Sequence, residues 1–154
     1  MKIIYHLILI VSITFLASRK NELPINLKVD NLRCEMLSNP EGIDVLNPRL
    51  SWEIKGKHRN IKQTAYQIIV SSSLEKLKAD SGDLWNTGKV NSNQSIHTKY
   101  EGVPLKKSMK AYWKVKIWAN NGKSKWSENA YWSMGLLQYK DWKGRWIGFD
   151  YAFP

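Results

Sequence analysis

KAYWKVKIWANNGKSKWSENAYWSMG, the stretch from Lys110 to Gly135, decides the fold of this chain. Its first half alternates between apolar side chains and a second set of lysines and aromatic rings, which is the period of a strand with one face in a core. Asn120-Asn121-Gly122 supplies a turn, because Asn and Gly adopt positive φ at low cost. We therefore predict a β-hairpin whose inner face belongs to a core and whose outer face carries lysine stems over aromatic rings.

Short alternating segments recur along most of the chain. Strands are predicted at Pro24–Glu35, Arg49–Ile54 and Gln63–Ser73, a helical turn at Ser73–Lys78, and two short strands within 84–100 on either side of an Asn-Ser-Asn turn. Roughly seven short strands with almost no helical periodicity indicate an all-β protein, an antiparallel β-sandwich of the fibronectin type III or immunoglobulin-like kind. The predicted core consists of Leu50, Trp52, Tyr66, Ile68, Val70, Trp113, Val115, Ile117 and Trp132.

Such sandwiches often contain a tyrosine corner, a ring near the start of the sixth strand whose hydroxyl bonds to the backbone. The pattern places either Tyr112 or Trp113 at this position. The choice depends on the register of the strand, which alternation alone leaves open.

Charge and composition narrow the classes of function. The 154 residues include 24 Lys and Arg against 13 Asp and Glu, a formal net charge of +11. The lysines are scattered and form no arginine-rich stripe, so we expect a solvated surface and no nucleic-acid partner. The single cysteine, Cys34, excludes an internal disulfide and is expected to be buried. With three histidines that lack metal-ligand spacing, we expect neither a metal site nor a cofactor.

The N-terminus has the pattern of a secretory signal peptide at residues 1–18. A basic start precedes the apolar run Ile3–Leu16, and the small residues Ala17-Ser18 follow. The run is shorter than the roughly 20 residues that a spanning helix needs. We therefore expect export to the periplasm or the exterior of a bacterium, with no stable membrane span after cleavage. Arg19 stands where a lipoprotein signal has cysteine, so lipid attachment is not expected.

The remaining chain divides into a predicted sandwich at 22–137 and a segment of different character at 138–154. The stretch Asp141–Gly148, DWKGRWIG, packs two Trp and two Gly into one short run. We interpret this segment as the start of a truncated following β-domain, in a chain that is either a truncated gene product or a fragment.

A series of motifs covers nearly the whole chain after the leader. In order they are LRCE at 32–35, NPEGID at 39–44, NPRLSW at 47–52, QTAYQI at 63–68, WNTGKV at 85–90, YWKV at 112–115, WS at 126–127, MGLL at 134–137 and DWKGRWI at 141–147. In order and spacing, these motifs resemble the N-terminal region of bacterial α-L-rhamnosidases, a family of glycoside hydrolases. The resemblance implies a fibronectin type III-like sandwich that precedes further β-domains and a large α/α barrel, which binds rhamnose and carries acidic residues that act by inversion.

No catalytic residue can be carried over, because the resemblance does not include the barrel. The residues themselves agree with this, since inversion needs two carboxyl groups about 6.5–9.5 Å apart around a sugar-sized cleft. The best-placed acids, Glu35, Asp44 and Glu53, are more simply interpreted as turn formers or partners of surface lysines.

The leading interpretation is a non-catalytic N-terminal accessory module of an exported α-L-rhamnosidase, inactive alone, which supports neighbouring domains and presents them to rhamnose-containing glycans. The alternative is a free-standing secreted module that binds carbohydrate or protein. Sugar rings stack on flat indole faces, so the candidates for glycan stacking are Trp85, Trp118 and Trp126. Core packing or cover by lysine stems competes with that role. An independent enzyme is least supported, because no nucleophile, acid–base pair or metal site is evident.

Overall fold

The structure is a computed structural model that describes residues 27–56, 59–145 and 147–148. The predicted signal peptide and the first residues of the predicted first strand lie outside the described residues.

Two antiparallel sheets form the predicted sandwich. The first sheet has three strands, in the order β1 (Leu27–Cys34), β2 (Arg49–Gly56) and β5 (Thr98–Lys99). The second sheet contains, in order, β4 (Trp85–Asn86), β3 (Gln63–Ser71) and β6 (Lys110–Ala119), with β7 (Ser124–Trp126) and β8 (Ala130–Ser133) both paired to β6. The helical turn predicted after β3 is present as α1 (Leu74–Lys78), and the side chain of Ser73 caps its N-terminus.

The core lies between the two sheets and contains every residue predicted for it. Trp52, Trp113 and Trp132 are among the largest side chains that are fully enclosed. Trp52 meets Tyr66 edge-on, with ring centres 5.2 Å apart. Aromatic pairs of this geometry stabilise the fold beyond the apolar area that they bury.

The register of β6 resolves the choice between Tyr112 and Trp113. Trp113 faces inward opposite Ala130, whereas Tyr112 lies on the outer side opposite Tyr131. The prediction of a tyrosine corner at one of these two positions is wrong. The buried tyrosine that bonds to the backbone is Tyr100, directly after β5, whose hydroxyl donates to the carbonyl of Val103 at 2.7 Å. The position of a strand in the chain order does not locate this tyrosine, because its hydroxyl needs the backbone carbonyl of a nearby turn as an acceptor inside the core.

The segment between β4 and β5 also differs from the prediction. Its two strands have two residues each and belong to different sheets, so the chain crosses the sandwich here and forms no hairpin. The crossing backbone bonds to both sheets, since Val90 pairs with Tyr66 of β3 and the carbonyl of Ser95 accepts from Trp52 of β2. Backbone groups that leave a ladder need partners of this kind.

The outer face of the second sheet is covered at one end by α1. Ile69 and Ser71 fall on the polar side of the alternation in β3, yet both are buried. The reason is that α1 packs against β3 and β6 and encloses its own Leu77. Further along the face, towards the turn at 120–122, no helix lies over the sheet within the described ranges.

Beyond β8 the chain forms one 3₁₀ turn at Tyr139–Asp141. The carboxylate of Asp141 accepts from Lys107 Nζ at 2.7 Å. Two apolar side chains that follow are exposed, Trp142 to 53% and Ile147 to 97%. Trp146 of the stretch Asp141–Gly148 lies outside the described residues, as do residues 149–154.

Candidate functional site

The three acidic residues singled out in the sequence either bond to neighbouring residues of the domain or are exposed on a loop. Arg49 donates four hydrogen bonds to the carboxylate of Glu35, the shortest from its backbone N–H at 2.6 Å and from its Nη2 at 2.7 Å, and these bonds hold the pKa of Glu35 below its usual range. Glu53 accepts from the side chain of Asn31, and Asp44 is exposed on the loop between β1 and β2. The residues therefore fit the interpretation as turn and ion-pair partners.

The motif at 39–44 fastens the loop between β1 and β2 to the far edge of the second sheet. The side-chain oxygen of Asn39 accepts from the backbone N–H of Tyr131 at 2.9 Å, and the carbonyl of Pro40 accepts from the N–H of Ser133 at 3.0 Å. Glu41 then accepts from the hydroxyl of Ser133. These bonds extend the edge of β8, so the motif has a structural role in this domain.

The motif at 47–52 ties β2 to the chain around β5. Asn47 donates its amide to the carbonyl of Tyr100 at 3.0 Å, while the N–H of Tyr100 donates to the carbonyl of Pro48 at 2.9 Å. The hydroxyl of Ser51 accepts from the N–H of His97 at 3.0 Å. This motif, which carries part of the family resemblance, thus joins strands within the first sheet.

Trp85, the first stacking candidate, borders an open groove of about 590 Å³. Its half-buried ring meets Tyr100 edge-on, with ring centres 5.3 Å apart. Polar side chains of Gln94, His97 and Glu101 line the same groove. A partly exposed indole beside hydrogen-bonding groups is the chemistry with which proteins hold a sugar ring.

Trp118 and Trp126 lie together on the outer face of the second sheet, away from Trp85. Their rings are half-buried, and Lys116 reaches both, with its Nζ 5.0 Å from the ring centre of Trp118 and 5.7 Å from that of Trp126. Lys89 Nζ lies 5.0 Å from the ring of Trp118, and Lys114 Nζ lies 4.8 Å from that of Trp126. We call these five residues the lysine–tryptophan row. The predicted lysine stems over aromatic rings are confirmed.

One member of the row was not distinguished from the others in the sequence. Lys114 is buried, and its ammonium group pairs with the carboxylate of Asp80, which follows α1. Alternation places Lys114 on the outer face of β6, and only the fold of α1 over that face encloses it. Lys116 and Lys89, by contrast, form no ion pair within the ranges that the structure describes.

The described part of the chain contains neither an assembled metal site nor an accessible thiol. No three His, Cys, Asp or Glu side chains of that part lie close enough to hold a metal ion. Cys34 is buried, and burial raises the pKa of its thiol to about 12. In the same described residues, no helix is long and apolar enough to cross a membrane.

Comparison with known proteins agrees with this geometry. The family model described as "Rha78A-like, N-terminal immunoglobulin domain" matches residues 29–138. A curated α-L-rhamnosidase of Formosa agariphila is 39% identical over 148 residues, which are 95% of this chain and 16% of that protein. Another from Streptomyces avermitilis is 37% identical over 122 residues, which are 79% of this chain and 12% of the relative. The chain therefore spans only a small part of the length of these relatives.

Two solved structures share the fold closely. The α-L-rhamnosidase of Streptomyces avermitilis complexed with L-rhamnose superposes with a TM-score of 0.74 at 35% identity, over 79% of this chain and 12% of that chain. The enzyme from Dictyoglumus thermophilum gives a TM-score of 0.74 at 40% identity, over 79% of this chain and 14% of that chain. The sandwich fold, the sequence motifs and the family model therefore agree. This chain belongs to the family of Rha78A-like N-terminal immunoglobulin domains, and it matches one part of each of the α-L-rhamnosidases named above.

Proposed function

We propose that the chain acts as a non-catalytic N-terminal accessory module of an exported α-L-rhamnosidase. The observation that carries this proposal is the match of most of the chain to an N-terminal domain that makes up 12–16% of its curated relatives. The surroundings of Glu35 and Glu53 support a module without catalytic carboxylates. We assign the sandwich to the fibronectin type III kind as part of the same proposal.

The module's role is to support neighbouring domains. Four large apolar side chains are exposed on the loop between β1 and β2, namely Met36, Leu37, Val45 and Leu46, at 53%, 58%, 41% and 58%. Exposed apolar residues gathered on one loop are typical of a surface that another protein surface covers. In a longer protein this loop is therefore our candidate for the contact with the next domain.

A rhamnosidase assay tests whether the chain is non-catalytic. The purified chain, incubated with an aryl α-L-rhamnoside, is expected to release no rhamnose above the blank. The complete Streptomyces avermitilis enzyme serves as the positive control. Release that stays with the chain through further purification would show that a catalytic group resides in this domain.

A chimera tests the supporting role. Residues 29–138 replace the matched part of the Streptomyces avermitilis enzyme, and we expect a folded enzyme that retains activity. Changing Leu37 and Leu46 to Ser should lower the melting temperature of the chimera while barely changing that of the isolated chain. Equal decreases in the chimera and in the isolated chain would show that these leucines stabilise the sandwich itself and do not contact another domain.

Export is proposed from the leader alone. Expression of the whole chain in a bacterium should yield a secreted product that begins after Ala17 or Ser18, within a few residues. Intact mass measurement of that product checks the cleavage. Retention of the full leader in the cytoplasm would contradict it.

The second candidate function is a free-standing module that binds a rhamnose-containing glycan, and the groove beside Trp85 favours it. Trp85→Ala should abolish retention of the chain on a rhamnose-rich polysaccharide, whereas Trp142→Ala should not. Stacking at Trp118 and Trp126 stays a prediction and is tested by the same retention measurement. Unchanged retention in all three stacking variants would remove this candidate.

A further inference from the structure

We propose that the groove beside β7, at the edge of the outer face, binds an anionic polysaccharide. Its carboxylate or sulfate groups would meet Lys116, Lys125 and Lys89, and a sugar ring would lie against Trp126, which lines the groove. This proposal concerns the surface of the domain itself and does not depend on its role within a rhamnosidase.

A groove of about 410 Å³ marks the place on this face. Lys116, Lys125, Trp126 and the exposed Ser124 line it, together with Ser127, whose buried hydroxyl is already bonded to the backbone of Val115 and Glu128. Glu128 is the carboxylate of the same lining, so cationic side chains outnumber anionic ones there. The groove thus combines positive charge, an indole ring and one exposed hydroxyl group.

The lysines of this surface are available to an external anion. Among the described residues, Lys89, Lys116 and Lys125 take part in no ion pair, unlike Lys114, whose ammonium group is neutralised by Asp80. An anion that binds here would therefore not have to displace a carboxylate of the domain.

The arrangement of charge also favours an anion over a neutral sugar. Lys89 and Lys116 lie at 5.0 Å from the centre of the same Trp118 ring. Their ammonium groups are therefore at most about 10 Å apart, a distance at which like charges still repel and a shared anion relieves the repulsion. A neutral sugar that stacked on this ring would have to displace the lysines, whereas an anionic sugar pairs with them in place.

Nucleic acid is the competing polyanion. Tight binding to nucleic acid generally depends on many phosphate contacts made along a continuous basic stripe. This surface offers a few lysines in one groove and no arginine in its lining. A polysaccharide with sparse charges and flat sugar faces fits that spacing better.

Binding is measured with the whole chain by isothermal titration against heparin, polygalacturonate, dextran and a mixed-sequence single-stranded DNA. Heparin carries sulfates and polygalacturonate carries carboxylates, so the tighter of the two identifies the preferred anion. We expect binding to at least one of them, weaker binding as sodium chloride is raised, and no binding to dextran. No binding to either anionic glycan, dextran binding of equal strength, or DNA binding of equal strength would overturn the proposal.

Charge-matched variants locate the site. Lys116→Gln with Lys125→Gln should weaken glycan binding at least about fivefold, as expected for the loss of two exposed charge contacts. The control, Lys106→Gln with Lys140→Gln, removes the same charge from exposed positions beyond the other end of β6 and should change binding less than about twofold. Equal losses in the two variants would show general attraction to a basic protein and contradict a site.

Two further variants separate binding from folding. Lys125→Gln alone alters an exposed side chain of the groove and should retain the melting temperature while it weakens binding. Trp126→Leu keeps all the lysines, so a loss of glycan affinity in this variant reports the contact with the sugar ring. Unchanged affinity in both variants, with an unchanged melting temperature, would rule out this groove.

Discussion

Trp52 donates its indole N–H to the side-chain oxygen of Gln63 at 2.9 Å, inside the core and from one sheet to the other. The amide nitrogen of Gln63 donates in turn to the carbonyls of Ser92 and Gln94, at 3.1 and 2.7 Å. One buried glutamine thereby joins both sheets to the segment that crosses between them.

Gln63→Leu should destabilise the domain by about 1–3 kcal/mol, because it leaves the buried N–H of Trp52 without an acceptor. Urea unfolding measures the change. The matched control is Gln67→Leu in the same strand, where the amide bonds to an exposed Asn86 and the expected change is within about 0.5 kcal/mol. Equal destabilisation by the two substitutions would contradict the role of Gln63.

Two of the inner tryptophans, Trp52 and Trp113, should respond differently to substitution by phenylalanine. Trp52→Ala and Trp113→Ala should each cost about 3–5 kcal/mol, as large-to-small core changes do. Trp52→Phe also removes a hydrogen bond from Gln63, whereas the indole N–H of Trp113 has no acceptor among the described residues. Trp113→Phe should therefore cost less than Trp52→Phe by about 1 kcal/mol. The reverse order in urea unfolding would refute this account.

Much of the fold could be predicted from local pattern. The period of two in β2, β3 and β6 identified most of the core residues that these three strands contribute, since a strand with one buried face must alternate. The same pattern predicted the tyrosine corner at Tyr112 or Trp113, and it lies at neither. Its position depends on which turn of backbone reaches the core, and here it is the turn after Tyr100.

The rest depends on contacts between segments distant in sequence. Lys114 is buried because α1 folds over β6, and nothing in the neighbours of Lys114 signals this. The strands β4 and β5 are too short to show a period, so their separation into two sheets is set by partners in β2 and β3. Lysine cover over Trp118 and Trp126 was predictable because both ring and lysine lie on one face of a hairpin.

Stability should fall in acid, beginning below about pH 5. The hydroxyl of Ser133 and the ammonium of Lys110 bond to Glu41 and lower its pKa from the ordinary value of 4.5, and Arg49 lowers that of Glu35 in the same direction. A carboxyl group with a lower pKa in the folded state contributes stability above its unfolded pKa and loses it as the pH falls through the folded value.

We therefore expect a nearly constant melting temperature from about pH 8 to about pH 5 and a decline below that range. The double variant Glu35→Gln with Glu41→Gln should show a shallower decline and a lower melting temperature at neutral pH. A profile in the variant that is parallel to that of the parent chain would show that other carboxyl groups dominate.

Cys34 should not react with thiol reagents while the domain is folded. The side chain is 1% exposed, and burial raises its pKa to about 12, so almost no thiolate exists at neutral pH. Ellman's reagent should therefore modify the folded chain very slowly and the urea-unfolded chain to one thiol per molecule, since the sequence has one cysteine. Fast modification without urea would mean that the β1 end opens readily.

Removal of residues 142–154 should improve solubility and leave the melting temperature of the sandwich nearly unchanged. Trp142 and Ile147 are 53% and 97% exposed, and exposed apolar area favours association. This truncation retains Asp141 and its ion pair with Lys107, whereas removal of 141–154 also deletes that exposed pair and should differ little from it. Thermal unfolding and sedimentation of the two truncated chains measure both effects. A fall of more than about 8 °C, or roughly 1–2 kcal/mol in a domain of this size, would show that the ending packs on the sandwich and would contradict its assignment to a following domain.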